Sequence, residues 1–316
     1  MSIRRRMMMV QGGGADYSKM YFTTEALYDN TDFFPSVQGL QYSLDKGRTW
    51  NQYSTTISVN AGAAICWKAN NTTSTSDGIG TFYAGKDFDV YGNIMSLCYG
   101  DNYQDVTSIP ATYLFRELLY YDPAAGGCVV DASNLILPAT SLQQYCYYSM
   151  FNGCIRMSAA PELPATSLSR HCYREMFRGC TSLTKAPSIL PAATLAGYCY
   201  YGMFYGCSAL VDAPEIRATT LGDYCCRIMF QDCTSLVKAP ELLAATVPTY
   251  GYEYMFNGCT KLNYIKCLAT NISASRAVNG WVQNVASSGT FVKAASMSSW
   301  TTGVNGIPSG WTVQNA

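Results

Sequence analysis

Cys172-Tyr173-Arg174-Glu175-Met176-Phe177-Arg178-Gly179-Cys180 is one copy of a phrase that the chain repeats. Its Met-Phe pair returns at Met150-Phe151, Met203-Phe204, Met229-Phe230 and Met255-Phe256, at successive spacings of 26, 27, 26 and 26 residues. Around each pair stands the same frame: Tyr or His, Cys, Met-Phe, Gly, Cys, a leucine, Ala-Pro, then Leu-Pro-Ala-Thr. A fixed period of this length signals a solenoid, whose units bury their apolar faces against one another.

Within the phrase, a helical period puts Cys172, Tyr173, Met176, Phe177 and Cys180 on one apolar arc of about 140°. Arg170, Arg174, Glu175 and Arg178 then face solvent. Thr166 or Ser167 reads as the N-cap and Gly179 as the stop. Leu183-Thr184-Lys185-Ala186 follows as a short strand ended by Pro187. The expected fold is therefore an α/β repeat solenoid, with coils of about 26 residues, each a short helix plus a short strand.

Working outward, residues 1–20 read as a Met- and Gly-rich flexible arm, in which Arg4, Arg5 and Arg6 precede Met7, Met8 and Met9. Residues 21–92 have the texture of a β-sandwich-like module. Ser43-Leu44-Asp45-Lys46-Gly47-Arg48-Thr49-Trp50 matches the Asp-box hairpin of sialidases and related propellers. The single copy and the lack of an arginine cluster argue for a structural hairpin over a glycosidase. The solenoid is placed at 93–272, opening with an irregular repeat whose helix is Leu114–Leu119. Residues 273–316 read as a small β-rich cap, its three tryptophans covering the last coil or, alternatively, forming a sugar platform.

The chain has 316 residues, with Lys+Arg and Asp+Glu balanced at 21 each and only 13% charged. That composition speaks against nucleic-acid binding. No run approaches a membrane span, so membrane insertion is not expected. Met1–Val10 has too short an apolar run for an export signal. Ten of the fourteen cysteines return at two fixed slots, which predicts reduced, buried thiols stacked in ladders rather than disulfides or a metal site. His171, the single histidine, stands in a slot otherwise held by Tyr145, Tyr198, Tyr224 and Tyr250. No catalytic residue, metal or cofactor is expected.

The frame from Leu163-Pro164-Ala165-Thr166-Ser167-Leu168 through Cys172-Tyr173, Met176-Phe177 and Gly179-Cys180-Thr181-Ser182-Leu183 to Ala186-Pro187 resembles the BspA-type leucine-rich repeat. That family is found on gut Bacteroidetes surfaces and in the structural genes of their phages. The resemblance covers about residues 94–272 and implies a non-enzymatic adhesion or receptor-binding protein. Without a visible export signal it points to a phage tail or fibre component in the virion. The alternatives are a purely structural virion protein and a bacterial cell-surface or secreted adhesin.

Binding is expected where structural slots repeat but exposed ones vary. Tyr148, Arg174, Tyr201 and Arg227 share one such slot, and Arg178 and Tyr205 another. The strand face through Ala159, Lys185, Asp212, Lys238 and Tyr264 is the rival surface. The expected partners are a host cell-surface glycan or protein, other virion subunits through Arg4, Arg5 and Arg6, and, as a homo-oligomer, further copies of the chain.

Overall fold

The computed structural model describes residues 15–316, so Arg4, Arg5 and Arg6 lie outside the described residues. Among the described residues fifteen short strands follow in order. In the N-terminal module they are β1 (Phe22–Ala26), β2 (Thr31–Phe33), β3 (Gln41–Ser43), β4 (Asn51–Gln52), β5 (Ile57–Val59), β6 (Ala64–Lys68) and β7 (Phe88–Asn93). Then come β8 (Asn134–Ile136), β9 (Ile189–Leu190), β10 (Thr194–Leu195), β11 (Glu215–Ile216), β12 (Thr220–Leu221), β13 (Tyr264–Cys267), β14 (Thr290–Lys293) and β15 (Thr312–Asn315).

Six strands form one sheet in the order β4-β3-β6-β1-β7-β8. Its first strands pair antiparallel, while β7 pairs parallel with β8, so the module's sheet runs directly into the first coils. Gly92 in β7 has a φ of 83°, and a side chain there would collide with the Tyr21 carbonyl. Residues 15–20 pack against the same strand, with Asn93 Nδ2 donating to Ser18 O at 3.2 Å and Tyr103 donating to Lys19 O at 2.7 Å.

The Asp-box stretch is the hairpin between β3 and β4. Asp45 accepts from the Arg48 and Thr49 amides at 3.0 and 2.9 Å and from the Thr49 hydroxyl at 2.7 Å, while Ser43 Oγ accepts from Gly47 N at 2.8 Å. The Thr49 amide, then the Ser43 and Thr49 hydroxyls, hold the Asp45 carboxyl far below the usual range. Each of these bonds closes the turn on itself, leaving it a structural hairpin.

The coils correct the sequence reading. The molecule is a β-solenoid of about five turns, not a leucine-rich-repeat α/β solenoid with a helix in each coil. Among the described residues the one α-helix is the four-residue α1 (Ser96–Tyr99), outside the repeated phrase. The phrase itself folds as a ribbon of linked turns, and so does Leu114–Leu119 in the irregular first repeat.

Backbone bonding shows why. In one coil, Cys172, Arg174, Met176, Arg178 and Cys180 donate N–H to Ser169, His171, Tyr173, Glu175 and Phe177, three residues back. The intervening Tyr173, Glu175, Phe177 and Gly179 donate to Cys199, Tyr201, Met203 and Tyr205 of the next coil. Every amide is thus satisfied, alternately within the coil and between coils, as burial requires. The turns repeat every four residues, and each repeat places one residue at positive φ: His171 (60°), Glu175 (55°) and Gly179 (72°) in this coil.

A four-residue period and a 3.6-residue period select the same inward positions over nine residues. Cys172, Tyr173, Met176, Phe177 and Cys180 are accordingly buried, as the helical reading had them. Glu175 departs from it, being buried rather than solvent-facing. Thr166 and Ser167 cap no helix; both are exposed, and Ser167 bridges Ser141 of the preceding coil. The short strand expected at Leu183–Ala186 reduces to a parallel bridge between Lys185 and Ala159, and the coil's own strands are β9 and β10.

Inside, like stacks on like. Phe151, Phe177, Phe204, Phe230 and Phe256 form one column with centroids 5.4–5.8 Å apart. Each ring contributes roughly 1.5–3 kcal/mol by burial. All fourteen cysteines are free and buried.

Both ends are closed. Ile79 and Phe82 of the N-terminal module donate N–H to the Leu114 and Leu118 carbonyls, which face away from the next coil. At the other end a further ribbon runs over 276–284, with Tyr252, Tyr254, Phe256 and Gly258 donating to Ala277, Asn279, Trp281 and Gln283. β13, β14 and β15 then pair parallel. Trp281 fills the methionine slot and is fully buried, stacked on Trp300 at 5.5 Å, and Trp311 is buried too. These rings cover the last coil, with Trp281 and Trp311 buried, rather than forming an exposed sugar platform.

Candidate recognition face

One of the ribbon's positive-φ positions carries an aromatic column. Tyr113, Tyr145, His171, Tyr198, Tyr224 and Tyr250 occupy it in successive coils, with φ of 56–61°. Left-handed backbone costs a non-glycine residue about 1–2 kcal/mol. Their rings stack in one column at 4.6, 4.4, 4.6, 4.5 and 4.4 Å. An aromatic pair contributes roughly 0.5–1.5 kcal/mol beyond its area. The column therefore offsets part of the backbone strain that its own residues incur.

Beside it stands a second column: Arg116, Tyr148, Arg174, Tyr201, Arg227, Glu253. Guanidinium and phenol alternate coil by coil from Arg116 to Arg227, and Glu253 ends the alternation. Arg116 lies 5.2 Å from the Tyr148 ring, Arg174 lies 5.6 Å from Tyr148 and 4.6 Å from Tyr201, and Arg227 lies 5.6 Å from Tyr201. A third column brings Arg178 to 4.7 Å from Tyr205. All six residues expected to bind are thus on one half-buried face, and Tyr148, Arg174, Tyr201 and Arg227 form a continuous run.

Two carboxylates brace the arginines from beneath. Glu175 accepts from Arg178 Nη1 at 3.2 Å and lies 3.6 Å from Arg174 Nη2. Glu253 is fully buried between Arg227 and Arg276, with Arg276 Nε at 2.6 Å and Asn279 Nδ2 donating at 3.2 Å. His171 is buried between Tyr145 and Tyr198. Desolvation, then the Arg174 and Arg170 charges, lower its pKa to about 4, so at neutral pH the ring is uncharged.

The stacking has a chemical consequence. Ring faces are occupied by neighbouring rings and guanidinium planes, so what meets solvent is edges: phenolic hydroxyls and guanidinium N–H groups. Such a surface recognises ligands by hydrogen bonds and charge rather than by stacking on sugar faces.

Sequence reasoning missed Arg116 because the insertion before Cys128 hides its slot, and it missed Arg276 because the Met-Phe signature ends at Phe256. The rival strand face is less organised. Ala159 is buried, Lys185, Asp212 and Lys238 are exposed, and the one ring contact is Lys238 with Tyr264 at 5.2 Å. In the N-terminal module, Lys68 is held by both Asp101 oxygens at 2.8 Å and lies 4.2 Å from the Trp50 ring, on the wall of a polar hollow of about 420 Å³.

No protein-family model, no curated protein and no solved structure matches the chain. The BspA-type resemblance therefore rests on its repeated phrase, and the helix-bearing coil it implies is not the one this chain forms.

Proposed function

We propose that this protein is a non-enzymatic recognition protein, a tail or fibre component of a phage virion that grips a host cell-surface glycan or protein. The observation that supports the reading is the unbroken Arg116–Tyr148–Arg174–Tyr201–Arg227 column on a backbone whose ribbon amides are bonded between coils. A preformed surface loses little conformational freedom on binding, and arginine and tyrosine are the side chains that dominate recognition interfaces. The test is binding of purified protein to host cells and to a glycan array, comparing wild type with Arg174→Ala and Arg178→Ala. Loss of binding with the melting temperature retained supports the reading; equal binding by all three excludes it.

A second reading, a purely structural virion subunit, has its own observation. β15 is the outermost strand of its sheet and all four of its residues are exposed, leaving an edge that a neighbouring subunit could extend. Filament or ring assembly by the purified chain, abolished by Val313→Pro, is its test.

A further inference from the structure

The second column repeats not every coil but every two. Its charged members Arg116, Arg174 and Arg227 alternate with Tyr148 and Tyr201. Adjacent coils lie roughly 4.8 Å apart at strand spacing, so successive guanidinium groups recur at about 9–10 Å along the solenoid axis. The first column agrees, its rings rising 4.4 Å from Tyr145 to His171 and 4.6 Å from His171 to Tyr198.

The face also carries surplus positive charge on a chain whose net charge is zero. Glu117 answers Arg116 at 3.2 Å, whereas Glu175 serves both Arg174 and Arg178 and Glu253 serves both Arg227 and Arg276, so the surplus lies at the latter two carboxylates, each of which neutralises one arginine of two. In the adjoining column the exposed Arg170 and Asp223 offset each other. The column's own Arg116, Arg174 and Arg227 keep 27%, 29% and 29% of their side-chain surface in solvent, and Arg178 and Arg276 in the flanking columns keep 42% and 47%. A guanidinium has five donors, so a partly paired arginine retains N–H groups for a second carboxylate.

We infer that the ligand is a linear acidic polysaccharide lying along the solenoid axis, with a carboxylate on every second sugar. One pyranose with its glycosidic oxygen spans about the height of one coil. An alternating chain therefore sets a carboxylate beside each guanidinium and an uncharged sugar beside each tyrosine, where the Tyr148 hydroxyl, which donates to Glu175 at 3.5 Å, is left to accept from a sugar hydroxyl. A neutral glucan lacks the charge. This inference rests on the reading of the Arg–Tyr face as the recognition surface, and it names the ligand class.

The experiment is titration calorimetry of the full chain with hyaluronan oligosaccharides, whose uronate falls on every second sugar, and with dextran oligosaccharides of equal length as neutral probes. Hyaluronan octasaccharide is expected to bind at least tenfold more tightly than the tetrasaccharide, because it spans further arginines, and to weaken with added salt. Dextran is expected to give no heat. Arg174→Ala and Arg227→Ala are each expected to weaken hyaluronan at least tenfold, while Lys185→Ala on the strand face leaves it unchanged. Absence of hyaluronan binding overturns the inference, as does equal affinity for dextran or full affinity in Arg174→Ala. If Arg174→Ala abolishes binding to cells while hyaluronan is not bound, the face stands and the ligand class is wrong. If Arg174→Ala leaves binding to cells intact, the reading of the face itself has failed.

Discussion

Cys180 donates its thiol proton to the main-chain carbonyl of Phe151, one coil back, at 3.2 Å. Cys207, Cys233 and Cys259 repeat the bond to Phe177, Phe204 and Phe230 at 3.0–3.1 Å. The second cysteine slot thus holds a small apolar side chain that is also a donor. Burial pushes these thiols well above their ordinary pKa and withholds the reactive thiolate. Native protein should therefore react negligibly with a thiol reagent, while denatured protein prepared without reductant should titrate close to all fourteen cysteines. A denatured count below half would refute the ladder.

The absence of helix from the coils gives a spectroscopic expectation. Far-ultraviolet circular dichroism should lack the paired minima of α-helix and show a weak β- and turn-type spectrum. A strongly helical spectrum would restore the helix-per-coil reading.

Phe204 and Tyr205 are adjacent yet opposite in role. Phe204 is fully buried between Phe177 and Phe230, at 5.4 Å from each. Phe204→Ala should cost about 3–5 kcal/mol as an unfilled cavity. Tyr205 is half-exposed under Arg178, and Tyr205→Ala should cost about 0.5–1 kcal/mol, the worth of an exposed cation–π contact. Equal losses in denaturant melts would mean that inward and outward positions are wrongly assigned.

His171 gives a pH dependence of definite sign. Its folded pKa of about 4 lies below the unfolded value near 6.5. Between these values the unfolded chain takes up a proton that the folded chain refuses, so stability falls as pH drops from 6.5 toward 4. His171→Tyr, which restores the residue of the neighbouring coils, should remove that component. On going from about pH 7 to about pH 4.5, wild type should lose several degrees of melting temperature more than the variant. Identical losses would show that His171 is not held neutral.

Glu253 is a buried charge answered by two arginines and an amide. Glu253→Gln keeps the shape but leaves Arg227 and Arg276 facing a neutral group. It should cost about 1.5–3 kcal/mol, the worth of hydrogen bonds to a charged partner. Glu241→Gln serves as control: its pair with Lys266, at 3.0 Å, is more exposed and should contribute under about 1 kcal/mol. Similar costs for the two would mean that Glu253 is solvated.

The inward set was legible from Cys172, Tyr173, Met176, Phe177 and Cys180 because burial imposes the pattern whatever backbone carries it. The backbone was not legible, since nine residues are too few to separate periods of 3.6 and four. The conformational clue was also muted. Positive φ usually announces itself through glycine or asparagine, and here Tyr145, His171, Glu175 and Ile228 adopt it, held by ring stacking and inter-coil bonds. The ribbon at 276–284 escaped notice because Trp281 and Val282 replace Met-Phe, although Trp281 stands 26 residues after Met255. Tyr148, Arg174, Arg178, Tyr201, Tyr205 and Arg227 were found as varying exposed slots; their alternation became visible only with Arg116 restored to the column.

The inter-coil amide bonding makes length a free variable. Each ribbon receives from the preceding coil through its carbonyls and gives to the following one through every second amide, in the same pattern from coil to coil. Excising residues 177–203, for instance, would join Met176 to Phe204 as Met203 is joined to it now and bring together two surfaces that already match, so neither end would register the loss. The protein is in this sense a ruler graduated in single coils: natural or engineered versions can differ in reach by whole steps while keeping the same two ends.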